Sequence, residues 1–404
     1  MSDDGCFFFN PLAPEMAVDP YPAYHELRRR DPVHESPLGF WFLSRHEDVA
    51  AFFTDRRLEH QYVRTQTIRL GDGVESQPYF RMFSHMVFIL DNPDHHRVRG
   101  LFTSTFTPRR VAAMRERVQL IADELVDRRE RDRAMDLVAD FAYPFPVRVI
   151  GDLLGVPRDD QVRIGDWVHA LNPVLEFLPM SDEVLARANE AIGQLAEYFG
   201  DLAAKRHTDP HDDLFSAMVH AEEEGTRLSD VELIANAILL YLAGHETTAG
   251  GTGLALLALH RNPAQLALLQ TELPQLLPNA VRELLRYDTP GQATARVSTE
   301  PVSFSGVEIP AGQGIVAWIG AANRDPQAFP DPDRLDLRRS FERDHVSLGG
   351  GAHYCLGHAL ARQELEVALE TLLRRCPKLT LETLDPPFRE TSLMRGVVSL
   401  PVHW

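Results

Sequence analysis

Between Pro108 and Ala258 apolar residues recur at three- and four-residue spacing, the spacing of one helix face, with interruptions at Pro144, Pro157, Pro173 and Pro210. The longest uninterrupted stretch opens at Ser229-Asp230-Val231-Glu232, a capping box, and continues to about His260, where Asn262-Pro263 stops it. At 1.5 Å per residue, roughly 30 residues make a rod of about 45 Å, which has to run through a core. A last helix is predicted from about Gly357 to Arg375. Strand patterns flank this helical body. Pro32 to Glu35 and Phe40 to Leu43 predict a hairpin around Pro37-Leu38-Gly39, and a short helix through Phe53 follows, with Ser44 and Glu47 as its capping box. After Pro290 come Ala295 to Thr299, then Val302 to Phe304 and Val307 to Ile309 around Ser305-Gly306, then Gly314 to Trp318. No repeat of about 20 to 50 residues is present, and no composition shift marks a linker. The pattern predicts one mainly α (α+β) domain.

The 404 residues carry 41 Lys+Arg against 59 Asp+Glu, a net charge of −18, so neither nucleic acid nor an anionic membrane is expected as the main partner. Cys6, Cys355 and Cys376 are too few for a disulfide framework and suit a reducing cytosol. The apolar run near the N-terminus is shorter than a secretory core or a bilayer span. A cytoplasmic protein with no membrane anchor is expected.

Four groups of residues carry candidate chemistry. In the first, Cys355 lies between Gly349-Gly350-Gly351 and the start of the last helix. Glycines in series imply positive φ or a close approach to something bulky, Gly357 allows a turn just past the sulfur, and a helix N-terminus favours a thiolate. On these residues alone Cys355 reads as a small core residue, as a nucleophile, or as a ligand of a zinc site that would recruit His353, His358 or Cys376. The second group is Ala243-Gly244-His245-Glu246-Thr247-Thr248 in the middle of the long helix, residues that weaken a buried helix and therefore serve something else. In the third, Glu283 and Arg286 pair at i,i+3. In the fourth, His95 and Arg99 share a helix face at i,i+4 and can hold a buried carboxylate.

The stretch Ser347 to Glu364 resembles the heme-binding signature of the cytochrome P-450 superfamily, F-G-x-G-x-H-x-C-x-G followed by x-x-L-A-R-x-E, with Leu348 in place of the usual Phe. Leu242 to Thr248 resembles the same family's A-G-x-[DE]-T-T, Glu283-Leu-Leu-Arg286 its E-x-x-R, and His95 with Arg99 its H-x-x-x-R. The resemblance implies a single P-450-type domain over residues 1–404 without a fused reductase domain, with small β-sheets near the N- and C-terminal parts and heme b (iron protoporphyrin IX) between the long helix and the cysteine loop. It implies Cys355 as the iron ligand. Ala243, Gly244, Leu348, Gly349 and Gly357 would line the cofactor, and His95, Arg99, Arg296 and His353 would hold its propionates. Glu246 and Thr247 would deliver protons to bound O2. Glu283 and Arg286 would be a structural brace, with Arg334 or Arg338 as its third member.

The activity so implied is a monooxygenase that inserts one oxygen atom into a hydrophobic small molecule of bacterial secondary metabolism, by hydroxylation or epoxidation. Electrons would come from a separate ferredoxin and an NAD(P)H-dependent ferredoxin reductase, docking near Arg109, Arg110, Arg362 and Arg374. Phe83, Met86, Phe88, Phe177, Leu240, Thr294 and Met394 would wall the substrate pocket, and the protein would be a monomer. The alternative is a heme-binding sensor or ligand-binding protein without turnover, which has no need of Glu246 and Thr247.

Overall fold

The computed structural model describes residues 7–404 apart from 177–179, 224 and 392; Cys6 and Phe177 lie outside the described residues. The chain divides into two compact units.

The first unit is assembled from Met1–Glu59, Leu254–Cys355 and Leu384–Val398. Its centre is a five-stranded sheet in the order Val33–Ser36, Phe40–Leu43, Gly314–Trp318, Ala293–Ser298, Leu58–Glu59. The first two strands form the predicted hairpin, in register Val33 to Leu43, with Gly39 at φ +82° in its turn. Gly314–Trp318 runs parallel to Phe40–Leu43 and antiparallel to Ala293–Ser298, placing Ile315 opposite Arg296. Because side chains alternate across a strand, Leu43, Ile315 and Ala317 face a core with Val49, Phe52 and Val346, while Phe42 and Trp318 face Phe9 and Tyr24. The helix His46–Thr54 follows the hairpin, but Ser44 does not cap it. The Ser44 hydroxyl instead donates to the Pro32 carbonyl at 3.2 Å, and the His46 N–H donates to Asp325 Oδ2 at 2.9 Å. A tertiary carboxylate has taken the place of the local cap.

The second unit is assembled from His60–Gly253, Leu356–Thr383 and Ser399–Trp404. Two of the predicted proline breaks sit where helices begin: Pro144 opens Pro144–Leu153, and Pro157 precedes Arg158–His169. The helix Asp182–Thr208 then leads to the long helix Asp230–Arg261, 32 residues. Here the capping box does form, with the Ser229 N–H donating to Glu232 Oε2 at 2.8 Å and the Glu232 N–H donating to Ser229 Oγ at 3.4 Å. The last helix, His358–Arg375, packs on Arg115–Asp127. Gln119 donates to Thr371 Oγ1 at 2.8 Å, and Arg375 pairs with Asp123 at 3.3 Å and Asp127 at 2.6 Å. Val367, Ala368, Leu369 and Leu372 are fully buried, each of the larger ones contributing about 1.5–3 kcal/mol of hydrophobic stabilisation. A three-stranded sheet of Thr380–Leu381, Pro401–His403 and Ala134–Asp136, and a hairpin of Glu222–Glu223 with Thr226–Arg227, are additions to the predicted elements. No helix among the described residues is long and apolar enough to cross a membrane.

Candidate functional site

The cysteine loop is built on the first unit's sheet and helices. Gly349 and Gly351 adopt φ +71° and +59°, so two of the three glycines supply left-handed backbone. Close approach accounts for the rest. A Cβ on Gly351 would sit 2.1 Å from the Phe53 carbonyl oxygen and one on Gly350 2.9 Å from Phe53 Cβ, so the bulky neighbour is the C-terminal turn of His46–Thr54. The Cys355 N–H donates to the Leu348 carbonyl at 2.9 Å, which closes the loop. Ser347 Oγ donates to the Leu285 carbonyl at 2.8 Å, and the Val346 N–H donates to Asn323 Oδ1 at 2.9 Å, which anchor it. The chain does turn just past the sulfur, at Leu356 and Gly357, but with Gly357 at an ordinary φ of −82° and with no atom within 4 Å of where a Cβ would stand. From Ser347 to Ala359, including Leu348, His353 and Cys355, no residue is fully buried.

The middle of the long helix shows the reverse pattern. Between Ala235 and Leu259 every residue is buried except Leu240, Ala243, Gly244 and Thr247, which at i, i+3, i+4 and i+7 form a single open face. Thr247 Oγ1 donates one turn back to the Ala243 carbonyl at 3.0 Å. Gly244 serves packing as well, because a Cβ on it would meet Ile150 Cδ1 at 3.4 Å. Glu246 is only 3% exposed. Its Oε1 accepts from Asn172 Nδ2 at 2.6 Å and lies 2.8 Å from His169 Nδ1 and 3.3 Å from His245 Nε2. The sequence pattern missed His169 and Asn172, which reach Glu246 only through tertiary packing.

The other predicted residues fall as follows. On Asp94–Thr105, His95 is buried and Arg99 half-buried, one turn apart on the same face. Arg296 is 9% exposed on Ala293–Ser298; its Nη1 donates to the Ala295 carbonyl at 2.8 Å, and its guanidinium lies 5.8 Å from the Phe52 ring centre. Among the pocket candidates Phe88 is exposed, while Leu240, Thr294 and Met394 are half-buried. Phe83 and Met86 are corrected to core residues, since both are completely buried, Phe83 against Tyr79, and neither presents a surface.

Glu283 and Arg286, both at zero exposure, form a two-pronged ion pair at 2.7 and 2.9 Å. The third member is Arg339, whose Nε lies 3.0 Å from Glu283 Oε2. Arg338 pairs with Glu272 instead, and Arg334 contributes its carbonyl, which accepts from Arg339 Nη2 at 2.9 Å. The irregular segment thus wraps around the pair through one arginine and several carbonyls.

Comparison with known proteins bears on all of these features. The Cytochrome P450 family model matches residues 74–402. The chain is 40% identical to nocardicin C N-oxygenase of Nocardia uniformis subsp. tsuyamanensis, over 98% of each chain, and 39% identical to vitamin D(3) 25-hydroxylase of Pseudonocardia autotrophica, over 95% of this chain and 93% of that one. Its fold is similar to P450BioI, crystallised with a hexadec-9Z-enoic acid ligated acyl carrier protein, at a TM-score of 0.90 and 34% identity, covering 96% of this chain and 99% of that one. The chain belongs to the cytochrome P450 family. It is therefore a heme b protein that uses O2 as co-substrate, a monooxygenase of bacterial type.

The residues of this P450 fit that cofactor. A porphyrin supplies four ligands to its iron and asks the protein for a single soft donor, which a Cys thiolate provides. Among the described residues no three His, Cys, Asp or Glu side chains gather as a metal site, so a zinc cluster at Cys355 lacks partners. Cys376 is buried, which pushes its thiol up to about 11 and keeps it protonated at neutral pH. The half-buried cysteine loop, with Gly349, Gly350 and Gly351, and the open face of the long helix, with Ala243 and Gly244, each present small residues of the kind a flat ring requires.

Proposed function

We propose that this P450 hydroxylates or epoxidises a hydrophobic small molecule of bacterial secondary metabolism, with Cys355 as the iron ligand. The observation that carries the reading is the open face Leu240-Ala243-Gly244-Thr247 on an otherwise buried helix, with the buried Glu246 carboxylate next to it in sequence. His95, Arg99, Arg296 and His353 are the donors assigned to the propionates, and Ala243, Gly244, Leu348, Gly349 and Gly357 the residues assigned to line the ring. The heme, when bound, would supply O2 binding and O–O cleavage, which a thiolate ligand such as Cys355 would favour. The overall change is RH + O2 + 2 electrons + 2 protons to ROH + H2O, so the chain's own task is to bring two protons in without bulk water. Thr247 and Glu246 are assigned that task, the hydroxyl as donor on the open face and the carboxylate as its source.

Phe88, Leu240, Thr294 and Met394 are assigned to the substrate, an apolar surface with few fixed polar groups. That the nocardicin and vitamin D(3) relatives act on dissimilar molecules leaves the compound itself to ligand screening. The electrons are assigned to a ferredoxin and its NAD(P)H-dependent reductase. Arg109 is exposed and Arg110 and Arg362 half-buried, and Gln363 donates to the Val111 carbonyl at 3.3 Å, so the helix start at Pro108 adjoins the last helix. Arg374 is a weaker member of this basic surface because Glu370 already pairs with it at 2.8 Å. A monomeric cytoplasmic protein acting as a single domain completes the reading.

The test is carbon monoxide added to the dithionite-reduced protein. A strongly red-shifted Soret band is expected from wild type, and Cys355→Ser is expected to lose that band together with product formation. A Cys355→Ser protein that kept both would place the ligand elsewhere and overturn the assignment.

A further inference from the structure

We propose that His169 is the solvent-side proton port of Glu246. The proposal rests on the reading of Glu246 as a proton source and names the group that recharges it. His169 ends the helix Arg158–His169, and its Nδ1 lies 2.8 Å from Glu246 Oε1. The two side chains differ sharply in wetting, 58% exposed for His169 and 2% for Glu246. This is therefore no ordinary surface ion pair, whose net contribution is small. It is a contact in which one end touches water and the other is sealed from it.

The neighbours close the contact off on its other sides. Asn172 Nδ2 donates to the same Oε1 at 2.6 Å and holds that oxygen toward His169. Tyr143 presents its ring edge-on to His169 at 5.8 Å and to His245 at 5.5 Å, and its hydroxyl donates to the Gly165 carbonyl at 3.3 Å, so it fences the group on a further side without contributing a charge. His245 is completely buried, and its Nδ1 lies 2.7 Å from the Tyr241 carbonyl. A carbonyl only accepts, so that nitrogen carries a hydrogen. In the neutral ring Nε2 then bears a lone pair 3.3 Å from Glu246 Oε1, an arrangement that is favourable when a proton lies between the two. Glu246 thus stands between a buried imidazole, whose Nδ1 is committed to a carbonyl, and an exposed imidazole at the surface.

The step is a simple transfer. The neutral ring starts with its hydrogen on Nδ1: Nε2 takes a proton from water, the Nδ1–H bond breaks as an O–H bond forms on Glu246 Oε1, and the ring is left neutral with its hydrogen on Nε2, which a flip of the exposed ring then brings to face the carboxylate. No oxidant or reductant is needed. The two ring nitrogens let the imidazole take a proton at one and release it at the other, whereas the guanidinium of an arginine in this place would keep its proton.

The test compares the wild-type holoenzyme with His169→Gln, whose amide still donates to Oε1 but carries no exchangeable acid proton, and with His169→Phe. The red-shifted carbon monoxide band and the substrate-induced absorbance change are expected to stay within about twofold of wild type in both. Product formed per electron from O2 is expected to fall about tenfold, with peroxide rising to match and a larger solvent isotope effect. Product driven by added hydrogen peroxide, which brings its own protons, is expected to stay within about twofold. A readout independent of turnover is the infrared band of the Glu246 carboxyl, identified by its loss in Glu246→Gln, which is expected to exchange more slowly into D2O in both His169 variants. Unchanged product per electron and isotope effect in His169→Gln would overturn the port, as would an equal loss of O2-driven and peroxide-driven product. A missing carbon monoxide band in wild type would instead remove the thiolate–heme reading beneath it.

Discussion

Glu283 in the first unit and Glu246 in the second are both buried carboxylates on helices, yet they are surrounded by donors of opposite character. Glu283 receives two prongs of Arg286, the Nε of Arg339 at 3.0 Å, and the Asp336 N–H at 3.0 Å. Guanidinium and backbone N–H groups do not give up protons at any physiological pH. Glu246 is met by two imidazoles and one amide. An imidazole changes its proton within the working range of a cell, and an amide merely orients. The comparison teaches how to tell a brace from a relay: a buried acid saturated with permanent cations is fixed, while one faced by titratable donors can trade a proton with them.

The sharpest way to break this distinction is Glu283→Gln. Gln keeps the shape but leaves the fully buried Arg286 with its charge uncompensated, and burial already pushes that guanidinium below its ordinary pKa. Breaking one half of a buried pair costs about 3–5 kcal/mol. Little folded, heme-loaded protein is expected to accumulate, which heme content per chain and a denaturant midpoint would measure. A variant as stable as wild type would show that Glu283 is not the brace the geometry describes.

Arg339→Lys is a milder probe of the same network. Lysine retains the charge near Glu283 but gives up the fork that reaches the Pro330 carbonyl at 2.6 Å and the Asp331 carbonyl at 3.1 Å. The loss of two or three partly exposed hydrogen bonds predicts a stability decrease of about 1–2 kcal/mol, read as a lower denaturant midpoint. The same change at Arg338, which serves Glu272 on the surface, is expected to leave the midpoint almost unmoved.

How much of this was legible in the sequence depends on how local the cause is. The long helix and its Ser229–Glu232 cap, the Val33–Leu43 hairpin and the Gly314–Trp318 strand follow from periodicity and turn chemistry within a few residues. The Ser44 cap failed because Asp325, remote in sequence, reaches His46 first. The sheet of Thr380–Leu381, Pro401–His403 and Ala134–Asp136 was invisible because strands of two or three residues are too short to show alternation. Glu283, Arg286 and Cys355 stood out by motif, but the choice of Arg339 over its neighbours is made by an irregular segment with no period to read. His169 and Asn172 carry no motif at all; only the fold brings them to Glu246.

A third carboxylate sharpens the comparison from the other side. Glu364, on His358–Arg375, is 2% exposed, its Oε2 has no hydrogen-bond partner among the described residues, and burial pushes its carboxyl well above the usual carboxylate range. Such a group has neither the cations of Glu283 nor the imidazoles of Glu246, so it is expected to hold its proton to higher pH than an ordinary glutamate. The sign of the linkage follows. Above the ordinary glutamate pKa of about 4.3 the unfolded chain releases this proton and the folded chain keeps it, so the group destabilises the fold increasingly as pH rises, by up to about 1.4 kcal/mol per pH unit until the folded pKa is reached. Gln is neutral in both states and removes that slope. Glu364→Gln is therefore expected to raise the denaturant midpoint by an amount on the order of 1 kcal/mol near pH 5.5 and to make no difference below pH 4. The same replacement of an acid by its amide thus carries opposite signs at Glu283 and Glu364, and a Glu364→Gln midpoint that tracked wild type at every pH would mean that this carboxyl ionises in the folded protein after all.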